Sequence, residues 1–225
     1  MGERIKLTAA DGFELNAYRA APEGKPKGGV VVIQEVWGLN TFIRSVVDGF
    51  AKNGFLAVAP AMFDRLDYGY ESDNYGPDQF VIIGGMMKKF DHATALQDVE
   101  AAIKAASVAG KVGITGYCFG GSVTWRAASK GLGLSAASGY YGGGIPNYID
   151  LTPVVPIEMH YGDQDKGIPL DQVEELKARH PEADIYTYEG DHGFCNFARP
   201  SNYNEAACKE ASARTLAFFN THLAG

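Results

Sequence analysis

The chain has 225 residues, 46% of them hydrophobic and 21% charged, a balance that excludes the disordered and membrane-embedded classes and fits one domain, 1–225, with a sizeable core. Its formal net charge is −7, and no cluster of Lys or Arg forms a phosphate-tracking face, which argues against nucleic acid and for a small-molecule partner. The start, MGERIKLTAADGFELNAYRA, lacks an apolar core behind positive charge, and no later run reaches the roughly 20 apolar residues of a membrane span, so no membrane association is expected and the cytoplasm is the expected location.

In chain order, residues 4–20 alternate polar and apolar residues around Asp11-Gly12, predicting an antiparallel pair at a sheet edge. GVVVIQ (29–34) is a continuous β-branched run, the pattern of a parallel strand covered on both faces. A helix near 41–53 and a second buried strand, FLAVAP (55–60), complete a βαβ unit. Residues 61–90, with Tyr68, Tyr70 and Tyr75 among Gly, Asp and Asn and then GGMMKKF, read as a long irregular segment, a lid or pocket wall. Helical spacing returns over 91–108 and leads into KVGITG (111–116), a third buried strand. The remainder alternates strands near 134–140, 154–162 and 183–189 with helices after Cys118, near 169–179 and near 203–222. The expected class is α/β, a mostly parallel central sheet with helices on both faces.

Gly116-Tyr117-Cys118-Phe119-Gly120-Gly121 follows a buried strand and precedes a helical stretch, which matches a G-x-nucleophile-x-G elbow with Cys in place of Ser. A lone cysteine is most often a small buried hydrophobe; this frame instead forces Cys118 into a cleft, at a helix start whose unpaired amides favour an anionic sulfur. Cys195 and Cys208 have no such frame, and an odd number of cysteines in a chain too large to need staples predicts reduced thiols throughout. With no CxxC pair and no HExxH, a zinc site has no support, and no cofactor is expected.

A cysteine nucleophile needs a neighbouring base, and in the α/β-hydrolase arrangement the chain order is nucleophile, acid, histidine. His192 sits in Glu189-Gly190-Asp191-His192-Gly193-Phe194, a glycine-flanked loop between a strand and the terminal helix, where that base belongs. His92, at a helix start, His160, within a strand, His180, before Pro181, and His222, near the C-terminus, are explained without catalysis. The acid belongs on Gly162-Asp163-Gln164-Asp165; Asp165, deeper in the loop, is favoured over Asp163, which suits its own turn. The amides of Phe119 and Val36 are the expected oxyanion donors. Glu35, at the carboxyl end of a buried strand, needs a proton donor or cation nearby, and an ion pair with Arg44 or Arg65 is the plain alternative to a catalytic role.

Together these residues resemble the dienelactone hydrolase (carboxymethylenebutenolidase) family. The likeness is carried by Gln34-Glu35-Val36-Trp37-Gly38-Leu39-Asn40, the Cys118 elbow, Tyr140-Tyr141-Gly142, Gly162-Asp163-Gln164-Asp165 with Pro169, and Asp191-His192-Gly193-Phe194. It implies the α/β-hydrolase fold, a Cys118–His192–Asp165 triad, and a Glu35 that holds or receives the Cys118 proton until substrate frees a thiolate. It also implies a lactone or ester substrate, in a monomer or small homo-oligomer. Arginines near the site grip the substrate carboxylate in dienelactone-degrading members; here Arg199 falls in that neighbourhood, with Arg65, Lys88 or Lys89 as further cations and Trp37 and Tyr141 as substrate contacts. A carboxylesterase acting on neutral esters is the second enzymatic reading, and a non-catalytic binding protein on a hydrolase scaffold is the reading from another class.

Overall fold

The computed structural model describes residues 2–224. Strands β1 (Glu3–Thr8) and β2 (Glu14–Ala20) pair antiparallel at one sheet edge, as the alternation around Asp11-Gly12 predicts. Six further strands follow: β3 (Gly29–Ile33), β4 (Leu56–Pro60), β5 (Val112–Tyr117), β6 (Ala136–Tyr140), β7 (Ile157–Gly162) and β8 (Asp184–Tyr188). They assemble in the order β1-β2-β4-β3-β5-β6-β7-β8, antiparallel between β2 and β4 and parallel in every pairing beyond. Strands β3 to β7 are buried along their whole length, the reason their sequences read as unbroken apolar or small-residue runs.

Helices cover both faces. α1 (Thr41–Lys52) and α6 (Glu205–Leu223) meet through Phe50 and Phe219, whose rings lie 5.8 Å apart. α3 (His92–Ala106), α4 (Phe119–Lys130) and α5 (Leu170–Arg179) make the other layer, where His180 at the end of α5 abuts Trp125 of α4. The pleat of β5 assigns these faces: a side chain at Gly113 would strike Phe219 and Leu223, whereas one at Gly116, an odd number of residues on, would strike Thr124 of α4. No helix among the described residues is long and apolar enough to cross a membrane.

Two expectations need correction. The 61–90 segment is irregular only in its first half; Pro77–Met87 forms helix α2, entered through a proline in the first turn. Beyond Asp78 and Gln79 its sequence, PDQFVIIGGMM, is apolar or glycine at every position, so no amphipathic stripe announces it, and Val81 is left 78% exposed. The second correction concerns the cysteines. Cys195 and Cys208 are joined in a disulfide, Cα to Cα 4.7 Å, and Cys118 is the free thiol. The bridge forms because the 196–204 loop returns on itself, with the Asn204 amide bonded to the Phe194 carbonyl, bringing the start of α6 within disulfide reach of the His192 loop. Thiol titration of the unfolded protein is accordingly expected to find one reactive sulfur before reduction and three after; three before reduction would show the pair open.

His160 is a core residue, as its strand position predicts. Its Nδ1 lies 2.9 Å from the Tyr188 hydroxyl and its Nε2 3.0 Å from buried Glu158, which also accepts hydrogen bonds from Ser138 and Thr215. This network, closed off from solvent, fastens α6 to β6, β7 and β8.

Candidate active site

The tight passage from β5 into α4 sets the position of Cys118. A Cβ at Gly116 would collide with the Gly120 carbonyl, and a Cβ at Gly120 with the Ile33 carbonyl at the end of β3, so only glycine allows the three segments to close up. Cys118 itself sits at φ 56°, ψ −114°, a conformation that costs a non-glycine residue about 1–3 kcal/mol and that places its side chain at the mouth of the turn. Its amide bonds the Tyr140 carbonyl at 2.9 Å, which holds the strained residue in place.

His192, on the loop after β8, reaches the sulfur, and Asp165, on the loop after β7, reaches His192. His192 Nε2 lies 3.1 Å from Cys118 Sγ, and His192 Nδ1 lies 2.7 Å from Asp165 Oδ2. The other Asp165 oxygen accepts the amides of Gly167 at 2.8 Å and Ile168 at 3.1 Å, so the carboxylate cannot rotate away. Asp163 accepts the Gly190 amide and Asp191 the His192 amide; both serve the loops that carry the site. Burial pulls the His192 titration down, but hydrogen bonds to Asp165 and Cys118 outweigh it, and the imidazole is pushed up to about 10.

Glu35 is 1% exposed and is held by Asn196 Nδ2, 2.6 Å from Oε2, and by the Tyr141 hydroxyl, 3.3 Å from Oε1. Burial pushes its carboxyl above the ordinary range, only partly countered by Asn196, by the charges of His192 and Arg199, and by Tyr141. Neither expected arginine reaches it. Arg44 pairs with Glu71 at 2.9 Å, and Arg65 is shared between Asp11 and Asp98, each at 2.8 Å. The sulfur of Cys118 rests on His192, not on Glu35. Asn196, which secures Glu35, stands inside the GFCNFARP segment, and only the Glu35 carboxylate pointed to a partner of this kind.

Cys118 and His192 open onto a cavity of about 490 Å³ whose wall includes Met87, His92, Ser122, Arg126 and Tyr148. The three residues assigned to substrate contact lie elsewhere. Trp37, 2% exposed, packs edge-on to Tyr75 and Phe80 and supports the 68–80 segment from beneath. Tyr141 is fully buried behind His192, ring to ring at 5.2 Å. Arg199 lies over the Tyr75 ring at 5.8 Å. Phe119 opens α4, so its amide is one of the unpaired donors of a helix start, and the approach of Gly120 to the Gln34 carbonyl brings the segment that carries Val36 against it. His92 does begin a helix, as expected, yet it also faces this cavity. Arg126 was legible in principle: Cys118, Ser122 and Arg126 recur at spacings of four along one stripe of α4. No group of three or more metal-ligating side chains occurs among the described residues.

Comparison with known proteins places this arrangement. The Dienelactone hydrolase family profile matches residues 15–223. The chain belongs to the dienelactone hydrolase family. It is 31% identical to a carboxymethylenebutenolidase of Pseudomonas putida, over 96% of this chain and 95% of the relative, and 28% identical to carboxymethylenebutenolidase 1 of Cupriavidus pinatubonensis, with the same coverage. A crystal structure from Klebsiella pneumoniae subsp. pneumoniae, described as a candidate dienelactone hydrolase, superposes with a TM-score of 0.84 at 28% identity, covering 97% of this chain and 98% of that one. As a member of the dienelactone hydrolase family, the chain is an α/β-hydrolase that acts on lactone or ester bonds of small molecules.

Proposed function

We propose that this dienelactone hydrolase homologue cleaves its lactone or ester through a thioester formed on Cys118, with His192 as general base and acid and Asp165 as the group that orients it. The observation that carries the reading is the position of His192, 3.1 Å from the sulfur on one side and 2.7 Å from a pinned carboxylate on the other. His192, whose raised titration favours the imidazolium, holds the proton taken from the thiol while the sulfur attacks the carbonyl carbon. The tetrahedral oxyanion is held by the amides of Phe119 and Val36. Collapse breaks the ester C–O bond, His192 returns its proton to the leaving oxygen, and the acyl group remains on sulfur; in a lactone the leaving alcohol stays tethered to it. Water deprotonated by His192 then attacks the thioester, and the carboxylic acid leaves with the thiol restored.

Glu35 supports the same cycle as a proton store. Burial favours its protonated form, and the exchange with Cys118 that the family resemblance implies requires the sulfur to swing from His192 toward it. The reading is tested by rapid mixing with an activated aryl ester: the expected result is a burst of one phenolate per chain and a mass increase equal to the acyl group, mapped to Cys118. A burst-free time course together with an adduct on any other residue would overturn it.

A further inference from the structure

Helices α1 and α6 leave a cavity of about 260 Å³ between them. Its α1 wall is a single helical stripe, Val46, Gly49, Phe50 and Asn53, and a Cβ built on Gly49 meets nothing within 4 Å. The floor is Tyr117 of β5 and Tyr140 of β6, their rings stacked at 4.6 Å. Tyr117 lies an even number of residues from Gly113, so it points to the face of the sheet that α6 covers, away from α4 and the Cys118 cavity. The mouth, at Asn53 and Ser212, is exposed.

An unsatisfied donor stands on this floor. The Tyr140 hydroxyl shares a hydrogen bond with Thr215 at 2.7 Å, but that of Tyr117, a residue only 4% exposed, has no partner among the described residues. It is turned toward Thr115, whose Oγ1 is itself buried without a hydrogen-bond partner, so the two hydroxyls do not come within bonding distance. Burial pushes the Tyr117 titration up and keeps the phenol protonated, a donor with nothing to receive its proton. Such a group is a cost in the free protein that an entering acceptor relieves.

The walls define the rest of the occupant. No charged side chain lines the cavity, although 21% of the chain is charged, and an ion entering it would lose water without gaining a countercharge. Aromatic rings and the short apolar groups of Val46 and Leu216 make up most of the surface. An apolar cavity of about 150 Å³ accepts benzene, so this one has room for a ring with a short substituent. We propose that the α1–α6 cavity is a second small-molecule site, which takes an uncharged monocyclic aromatic compound whose carbonyl oxygen accepts the Tyr117 hydroxyl. The site stands directly behind the nucleophile, since Tyr117 precedes Cys118 and the Tyr140 carbonyl accepts the Cys118 amide. It uses no residue of the thioester mechanism and holds whether or not that mechanism does.

The test titrates the protein with 4-fluoroacetophenone, followed by fluorine NMR, beside 1-fluoro-4-isopropylbenzene, which carries a methyl group in place of the carbonyl oxygen. Wild-type protein is expected to bind the ketone saturably, and Tyr117→Phe to weaken the ketone roughly 5- to 10-fold while moving the hydrocarbon less than about twofold. Gly49→Leu fills the cavity from α1 and replaces a helix glycine with a better helix former; it should weaken both probes at least about tenfold, with a melting temperature at or above that of wild type. Alkylation of Cys118 by iodoacetamide, which obstructs the other cavity, should leave ketone binding in place. Absence of saturable binding, ketone affinity unchanged by Tyr117→Phe, equal losses of both probes in that variant, or loss of binding on alkylation would each overturn the assignment.

Discussion

Cys118→Ala protein is expected to fold normally and to lose at least about 10,000-fold in kcat/KM toward every lactone or ester the wild-type protein cleaves. In the substituted enzyme the oxyanion amides and the cavity remain, but no atom can form the acyl bond, and water attacking directly lacks the 3.1 Å placement against His192 that the sulfur has. Stability should change little. Alanine inherits the same strained φ of 56°, and the lost atom faces a cavity rather than packed core. The comparison requires steady-state kinetics on both proteins with a matched circular dichroism spectrum. Activity within tenfold of wild type would remove Cys118 from the nucleophile position, whereas loss of activity with loss of the spectrum would only report unfolding, which is why the matched spectrum is part of the measurement.

The parts of this site that the sequence announced are those whose residue types are dictated locally. Strands β3, β4 and β5 read clearly because strands buried on both faces must be apolar or small throughout. Gly116 and Gly120 read clearly because the elbow leaves no room for a Cβ, and Cys118 follows from them. What stayed hidden depends on distant segments meeting. The Cys195–Cys208 bridge exists because a loop folds back to the start of α6, which no spacing between cysteines reveals. Trp37 and Tyr141 share motifs with residues that line the candidate site, but a motif gives a place along the chain and not a direction; both side chains point into packed interior. Helix α2 lacks a polar face and carries Gly84 and Gly85, so periodicity and propensity were both silent about it. Arg126 lies in a helix that reads as the mere continuation of the elbow, and that its Nε is buried without a hydrogen-bond partner among the described residues is disclosed only by the three-dimensional arrangement.

Asp165→Asn is expected to lower kcat/KM on the order of 100- to 10,000-fold and to move the His192 titration down from about 10 toward 6.5. The Asp165 oxygen held by the Gly167 and Ile168 amides would be kept by the asparagine carbonyl, because an amide nitrogen there would face two donors. The asparagine NH2 must then occupy the place of Oδ2 and donate to His192 Nδ1. That reverses the tautomer, putting a proton on Nε2, where the imidazole can no longer accept one from Cys118. The charge effect has a fixed sign. A histidine raised in the folded state contributes stability that is fully present below its unfolded value near 6.5 and is lost as pH climbs through the folded value of about 10. Wild-type protein should therefore melt at progressively lower temperature between pH 6.5 and pH 10, and Asp165→Asn should show a shallower decline. Histidine proton resonances followed across this range, together with melting curves at its two ends, measure both effects, and an unshifted His192 titration in the variant would remove Asp165 from its role.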